Sequence, residues 1–108
     1  MDRIYVALDL ETTGLDPDRD QITEIGMVRF RGPEVLETYS SLVRAERAIP
    51  LKVQQLTGIS QDEVDQAPPL RSLRGRILAF LQNHPVVGHN VEHDLAFLNK
   101  QGLSLGNQ

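Results

Sequence analysis

Two carboxylates, Asp9 and Glu11, stand one residue apart at the end of the apolar run RIYVALDL. Residues two apart on a strand share a face, so both acids can converge on one point if the strand persists to Glu11. Carboxylates that close repel unless a cation or a proton lies between them. Hard oxygen ligands of this kind favour Mg²⁺ or Mn²⁺. On the D-x-E pattern alone, a solvated strand end leading into a turn is the better explanation. A third acid, Asp94, falls in the first turn of a helical pattern that follows the apolar stretch PVVGHN. A helix N-terminus favours an anion there. Asp94 also adjoins the stripe Val91, Leu95 and Leu98, which places it at the rim of a core. Taken alone, it is an ordinary complement to the helix dipole.

The elements that must position these acids are legible in outline. RIYVALDL lacks alternation, which predicts a central strand buried on both faces. TGLDPDRDQ is a polar loop containing Gly14 and Pro17. ITEIGMVRFRG alternates in part, with Ile25 and Met27 on one side and Gly26, Val28 and Phe30 on the other. EVLETYSSLV is a third strand, and the intervening Gly32-Pro33 predicts an antiparallel hairpin. LKVQQLTG reads as a short helix closed by Gly58. ISQDEV adds a helical turn, with Ser60 and Glu63 as a capping box. Leu70, Leu73, Ile77, Phe80 and Leu81 recur at helical spacing, so a helix runs to about Asn83, before Pro85. PVVGHN is a short strand, and VEHDLAFLNKQ is a helix with Asn90 as its cap. The expected order is β-β-β-α-α-β-α, an α/β arrangement. LNKQGLSLGNQ reads as the final helix passing into a turn that leads onward.

Composition narrows the function classes. The 108 residues suit one small domain. There are no cysteines, which excludes disulfides, thiolate zinc sites and cysteine nucleophiles. Net charge is −4, with 15 acidic and 11 basic residues, which argues against a protein that coats nucleic acid electrostatically. An enzyme gripping only a strand end is compatible with that balance. No apolar run approaches the ~20 residues of a membrane span, and the start lacks a secretory pattern. The expectation is a cytoplasmic protein without membrane contact.

The stretches DLETTGLDP…QITEIGMV and GHNVEHDLAFL closely resemble the first and second motifs of the DEDD-superfamily 3′-5′ exonucleases. The branch is that of the proofreading epsilon subunit of DNA polymerase III and of ribonuclease T. Glu11 and Asp94 lie 83 positions apart, as the resemblance requires. LTGIS, Leu56 to Ser60, resembles the family segment that packs beside the terminal base. The resemblance implies an RNase H-like fold, a mixed five-stranded sheet with flanking helices. It implies hydrolysis of the 3′-terminal phosphodiester of DNA or RNA with two Mg²⁺ or Mn²⁺ ions. Asp9 would bridge both metals, Glu11 would hold the one that binds the attacking water, and Asp94 would support the other. Leu10, Thr12 and Thr13 would lie beside the terminal nucleotide. Leu56, Thr57 and Ile59 would face the bases, with His89 and Asn90 near the pocket. The implied partners are a nucleic-acid 3′ end and a fused or bound polymerase or helicase.

The same family carries a third motif, H-x-x-x-x-D beyond a fifth strand, and nothing in the sequence matches it. No aspartate follows Asp94, and His84, His89 and His93 are misplaced for a general base. His84 and His93 read as surface residues. The expectation is therefore the N-terminal two thirds of an exonuclease domain, truncated before the fifth strand. It should be inactive or very weak by itself and prone to self-association through the open sheet edge. A non-catalytic module of the same fold, binding nucleic-acid ends or a polymerase or helicase partner, is the competing reading. A phosphotransferase with Asp9 as nucleophile is weaker, because Glu11 and TTG fit the exonuclease motif better. A downstream H-x-x-x-x-D segment or an in-frame stop discriminates the first two.

Overall fold

The computed structural model describes residues 3–103. The turn expected beyond Leu103 therefore lies outside the described residues. The elements are β1 (Ile4–Thr12), β2 (Ile22–Arg31), β3 (Glu34–Leu42), α1 (Leu51–Thr57), α2 (Gln61–Asp65), α3 (Leu70–Leu81), β4 (Val86–Val87) and α4 (Val91–Lys100). The sheet order is β3-β2-β1-β4. Both hairpin pairings are antiparallel, and β4 runs parallel to β1, so the sheet is mixed. Four strands, not five, are present among the described residues.

The strands form where β-branched and aromatic residues cluster, and their register fixes the faces. Val6, Leu8 and Leu10 alternate with Tyr5, Ala7 and Asp9 along β1. Leu8 pairs with Met27 and Leu10 with Ile25. These side chains form one apolar face, which packs with Leu73, Ile77, Phe80 and Leu81 of α3 and with Phe97 and Leu98 of α4. The other face carries Tyr5 stacked on Phe30, then Ala7 and Asp9. This corrects the expectation for β1. It is central, but only one of its faces is buried among the described residues. The run looked continuous because Tyr5 and Ala7, which point to the open face, are themselves apolar.

Two further details differ from the sequence reading. ISQDEV is a separate helix, so three helices precede β4. Its start is as expected: Ser60 accepts from the Glu63 backbone and Glu63 from the Ser60 backbone, a full capping box. Those bonds hold the exposed Glu63 carboxyl below its ordinary pKa. The strand expected over PVVGHN shrinks to Val86–Val87. Gly88 explains why the chain can pass so close to β1 there. A Cβ on Gly88 would lie 2.6 Å from the Leu8 carbonyl oxygen.

A satellite cluster of Ala45, Ile49, Ile59 and Val64 sits apart from the main core. It anchors α2 and the segments flanking α1, whereas α1 itself buries no residue. The Thr57 hydroxyl donates to the Val53 carbonyl, and Gly58 closes α1 in the left-handed region at φ 76°.

Candidate active site

Asp9 and Glu11 lie at the C-terminal end of β1, and Asp94 lies near enough to act on Glu11 by its charge. Asp9 is exposed on the open face. Glu11 follows on the same face, as the i, i+2 spacing predicts. Asp94 enters from the first turn of α4 and is 4% exposed. Burial raises the Glu11 pKa, and the charges of Asp9, Glu24 and Asp94 raise it further. Burial also raises the Asp94 pKa. His93 opposes that rise by hydrogen bonding, Asp9 adds to it, and the Leu10 backbone lowers it slightly. Asp9 thus acts by charge on both Glu11 and Asp94, and Asp94 acts on Glu11. Among the described residues no group of three acidic or histidine side chains closes around a metal ion. The donor set is nonetheless all carboxylate, the chemistry of a hard divalent cation, and its mutual repulsion is what such a cation relieves.

Burial, with that repulsion added, has a measurable consequence. Glu11 and Asp94 bind protons more tightly folded than unfolded. Stability from these groups is therefore greatest below their ordinary values, 4.5 and 3.8, and is lost as pH rises through the raised folded values. Thermal melts without metal should fall across that window. Added Mg²⁺ or Mn²⁺ should restore the melting temperature only where the carboxylates are ionised. A melting temperature insensitive to metal at neutral pH is the contrary result.

The neighbouring residues divide into those that face the site and those that build it. Gly26 pairs with Asp9, so no side chain crowds that carboxylate from β2. A groove of about 550 Å³ opens on this face, lined by Asp9, Gly26, Val28, Ser40 and His89 among others. His89, one of its lining residues, is exposed, as is Asn90 after it in the chain. Asn90 occupies the N-cap position of α4 but makes no side-chain cap bond, contrary to expectation; its φ of −137° and ψ of 54° are not those of a usual cap. Leu10 is buried in the core. Thr12 donates to the Gly14 carbonyl, and Thr13 bonds Asp20 while accepting from the Gln21 N–H. Both hydroxyls thus shape the β1–β2 loop. Gly14 leaves room there for the Asp20 carboxylate, which a Cβ would force to move. Leu56 is 77% exposed on α1, free to meet a ligand. Thr57 is half-buried, and its hydroxyl also accepts from the Ile59 N–H. Ile59 is 7% exposed, within the satellite cluster, and presents little to a base.

Two residues escaped the sequence reading. Glu24 pairs directly with Glu11, adding a fourth carboxylate to the field. Hairpin register, once β1 and β2 are aligned, is the signal that locates it. His93 is not a surface residue. Its Nδ1 lies 3.4 Å from the Asp94 Oδ1, its ring packs on Phe97, and its Nε2 is buried without a partner. The stripe of α4 is accordingly turned: Asp94, Phe97 and Leu98 are deepest, with Val91 and Leu95 half-buried. An orphaned buried polar atom costs about 1–3 kcal/mol. His93→Phe, which keeps the stacking surface, should therefore raise the denaturation midpoint; a lowered midpoint would mean that the Asp94 contact outweighs the orphaned nitrogen.

The RNase_T family model, described as Exonuclease, matches residues 6–108. The chain belongs to the RNase_T exonuclease family. Among its relatives, the PolC-type DNA polymerase III of Thermotoga maritima is 37% identical over 97 residues, covering 90% of this chain and 7% of that protein. The DNA polymerase III subunit epsilon of Aquifex aeolicus is 34% identical, covering 93% of this chain and 50% of its own length. The 3′-5′ exonuclease DinG of Staphylococcus aureus is 36% identical, covering 89% and 11%. The chain thus spans at most half the length of these relatives. The fold matches exonuclease I in its product-bound structure with a TM-score of 0.76 at 18% identity, over 90% of this chain and 24% of that one. The RNase_T exonuclease fold is RNase H-like, and the four-stranded mixed sheet with its helices fits it. No helix among the described residues is long and apolar enough to cross a membrane.

Proposed function

We propose that the intact protein is a 3′-5′ exonuclease that hydrolyses terminal phosphodiester bonds with divalent metal held by Asp9, Glu11 and Asp94. The supporting observation is that the charge of Asp9 reaches both Glu11 and Asp94, and that of Asp94 reaches Glu11, in a chain of an exonuclease family. Paired divalent cations in such sites stabilise the attacking and leaving oxygens. This chain's own residues supply the rest. Asp9 and Glu11 present oxygens on the open face. Asp94 is oriented by His93 and by the Leu10 backbone. Leu56 offers an apolar surface to a base, and His89, followed in the chain by Asn90, lines the groove that holds Asp9. We assign none of the three histidines as general base.

The nucleic-acid 3′ end and a polymerase or helicase, fused or bound, are the partners this reading implies. The two-residue edge strand β4, with Val87 partly exposed, is where self-association would occur. A second reading, a non-catalytic module that binds nucleic-acid ends, is favoured by the lack of a closed three-ligand cage among the described residues.

The test uses the intact protein with single-stranded oligonucleotides labelled at either end. Nucleoside monophosphates should leave from the 3′ end, stop on addition of EDTA, and resume with Mg²⁺ or Mn²⁺. Release that continues in EDTA, or that starts from the 5′ end, would count against the reading. Tight binding without release would favour the module.

A further inference from the structure

We propose that the cleft between the β1–β2 loop, the β3–α1 connection and the facing ends of α3 and α4 grips the phosphodiester backbone of single-stranded nucleic acid upstream of the terminal nucleotide. The proposal rests on the exonuclease reading above. The cleft has a volume of about 420 Å³ and presents Arg44, Arg47, Arg71 and Lys100. In a chain of net charge −4, this gathering of cations is local.

The arginines are held in place without being neutralised. Arg44 Nε donates to the Ala67 carbonyl at 3.0 Å, and its backbone N–H donates to the Pro68 carbonyl at 2.8 Å. The Arg47 guanidinium bonds the Arg19 carbonyl. The Gln21 side chain, 9% exposed, accepts from the Glu46 and Arg47 N–H groups and donates to the Arg47 carbonyl. Arg71 is exposed on α3. Among the described residues none of the three arginines forms an ion pair. Carbonyl partners fix a guanidinium but leave its charge for an oxyanion, and its planar fork suits phosphate.

Three carboxylates share the cleft with the four cations, so its formal charge is only +1, and one of the ion pairs lies within it. Asp18 pairs with Lys100 at 2.8 Å, which also keeps Lys100 protonated above its ordinary pKa. Asp20 accepts from the Thr13 hydroxyl and the Asp16 N–H. Glu46 is the remaining carboxylate and opposes an anion there.

The cleft begins next to the strand end that carries Glu11. Its wall residue Ile22 pairs with Thr12, and Gln21 bonds Thr13, directly beyond Glu11. Lys100 stands six residues past Asp94 on α4, about 9 Å along the helix axis. A strand whose last phosphate lies against the carboxylates can run into this cleft. That proximity to the carboxylates favours nucleic acid over an acidic peptide, the other polyanion of suitable charge.

The experiment measures binding of a fluorescent twelve-residue oligothymidylate to the intact protein in EDTA, across a range of salt. Arg47→Ala and Arg71→Ala should each weaken binding several-fold and lower the salt slope by about 0.7, one phosphate contact on a single strand. Glu46→Gln should tighten binding, a change of opposite sign that a folding defect does not produce. With metal present, the arginine variants should raise KM for the long substrate several-fold more than KM for a dinucleotide. Unchanged salt slopes in both arginine variants, or an acidic peptide that alone shows the arginine dependence, would overturn the proposal. Arginine-dependent binding without any hydrolysis would leave the cleft standing and remove the exonuclease reading instead.

Discussion

Asp9→Ala in the intact protein is expected to lower nucleotide release at least about 10²- to 10³-fold, the scale of losing one electrostatic stabiliser of a transition state. The folded structure should be unaffected, because Asp9 is exposed on the open sheet face and its removal leaves no cavity. Asp94→Asn should cost activity on a similar scale but move stability the other way. Asp94 is buried, and its charged form is disfavoured by that burial and by Asp9. The neutral amide removes that penalty, so the metal-free variant should melt higher than the parent at neutral pH. Paired assays of nucleotide release and thermal melting decide the matter. A melting point lowered by Asp94→Asn would show that the carboxylate stabilises the fold, and activity surviving Asp9→Ala would remove Asp9 from the chemistry.

Gly88→Val should have the second-largest effect, by a different route. A Cβ at this position already meets the Leu8 carbonyl at 2.6 Å, a distance that real Cβ atoms do not adopt. The obstacle is backbone, so no rotamer change relieves it. Val86 pairs with Val6 and Val87 with Ala7 just before Gly88, and α4 begins three residues after it. The substitution must therefore push β4 away from β1 and carry the N-terminus of α4 with it. Overpacking of this kind costs about 1–3 kcal/mol or more. Displacing α4 also moves Asp94 relative to Asp9. Denaturant titration should show the stability loss, with nucleotide release falling further than the unfolded fraction explains. Wild-type stability and activity would mean that the loop can reroute.

The sequence made some features plain because they depend on local chemistry. The hairpin, the Ser60–Glu63 capping box, the Gly58 helix stop and the shared face of Asp9 and Glu11 all arise within a few residues. Features that depend on distant packing were harder to read. RIYVALDL looked buried on both faces because Tyr5 and Ala7 are apolar, and only the sheet shows that they face away from the helices. The depth of Asp94 and His93 follows from the rotation of α4 about its axis. Helical spacing leaves that angle undetermined, and it is set by Phe97 and Leu98 packing into the core. Ile59 could be read as a base contact until the satellite cluster claimed it. Glu24 needed the β1–β2 register.

The division of the apolar residues into two clusters has a thermodynamic consequence. Residues 50–66 are held by a small core of Ala45, Ile49, Ile59 and Val64, and by side-chain bonds such as Gln54 to the Ile49 carbonyl and Gln61 to the Ile49 N–H. Few buried contacts and many exposed backbone bonds define a region that opens locally at low free energy. Amides there should exchange with solvent through a sub-global opening, while those of β1 and β2 wait for complete unfolding; uniform protection across both regions would show one cooperative unit. With two such units, α1 and its exposed Leu56 can release and re-engage a ligand while the sheet that carries Asp9 and Glu11 stays folded.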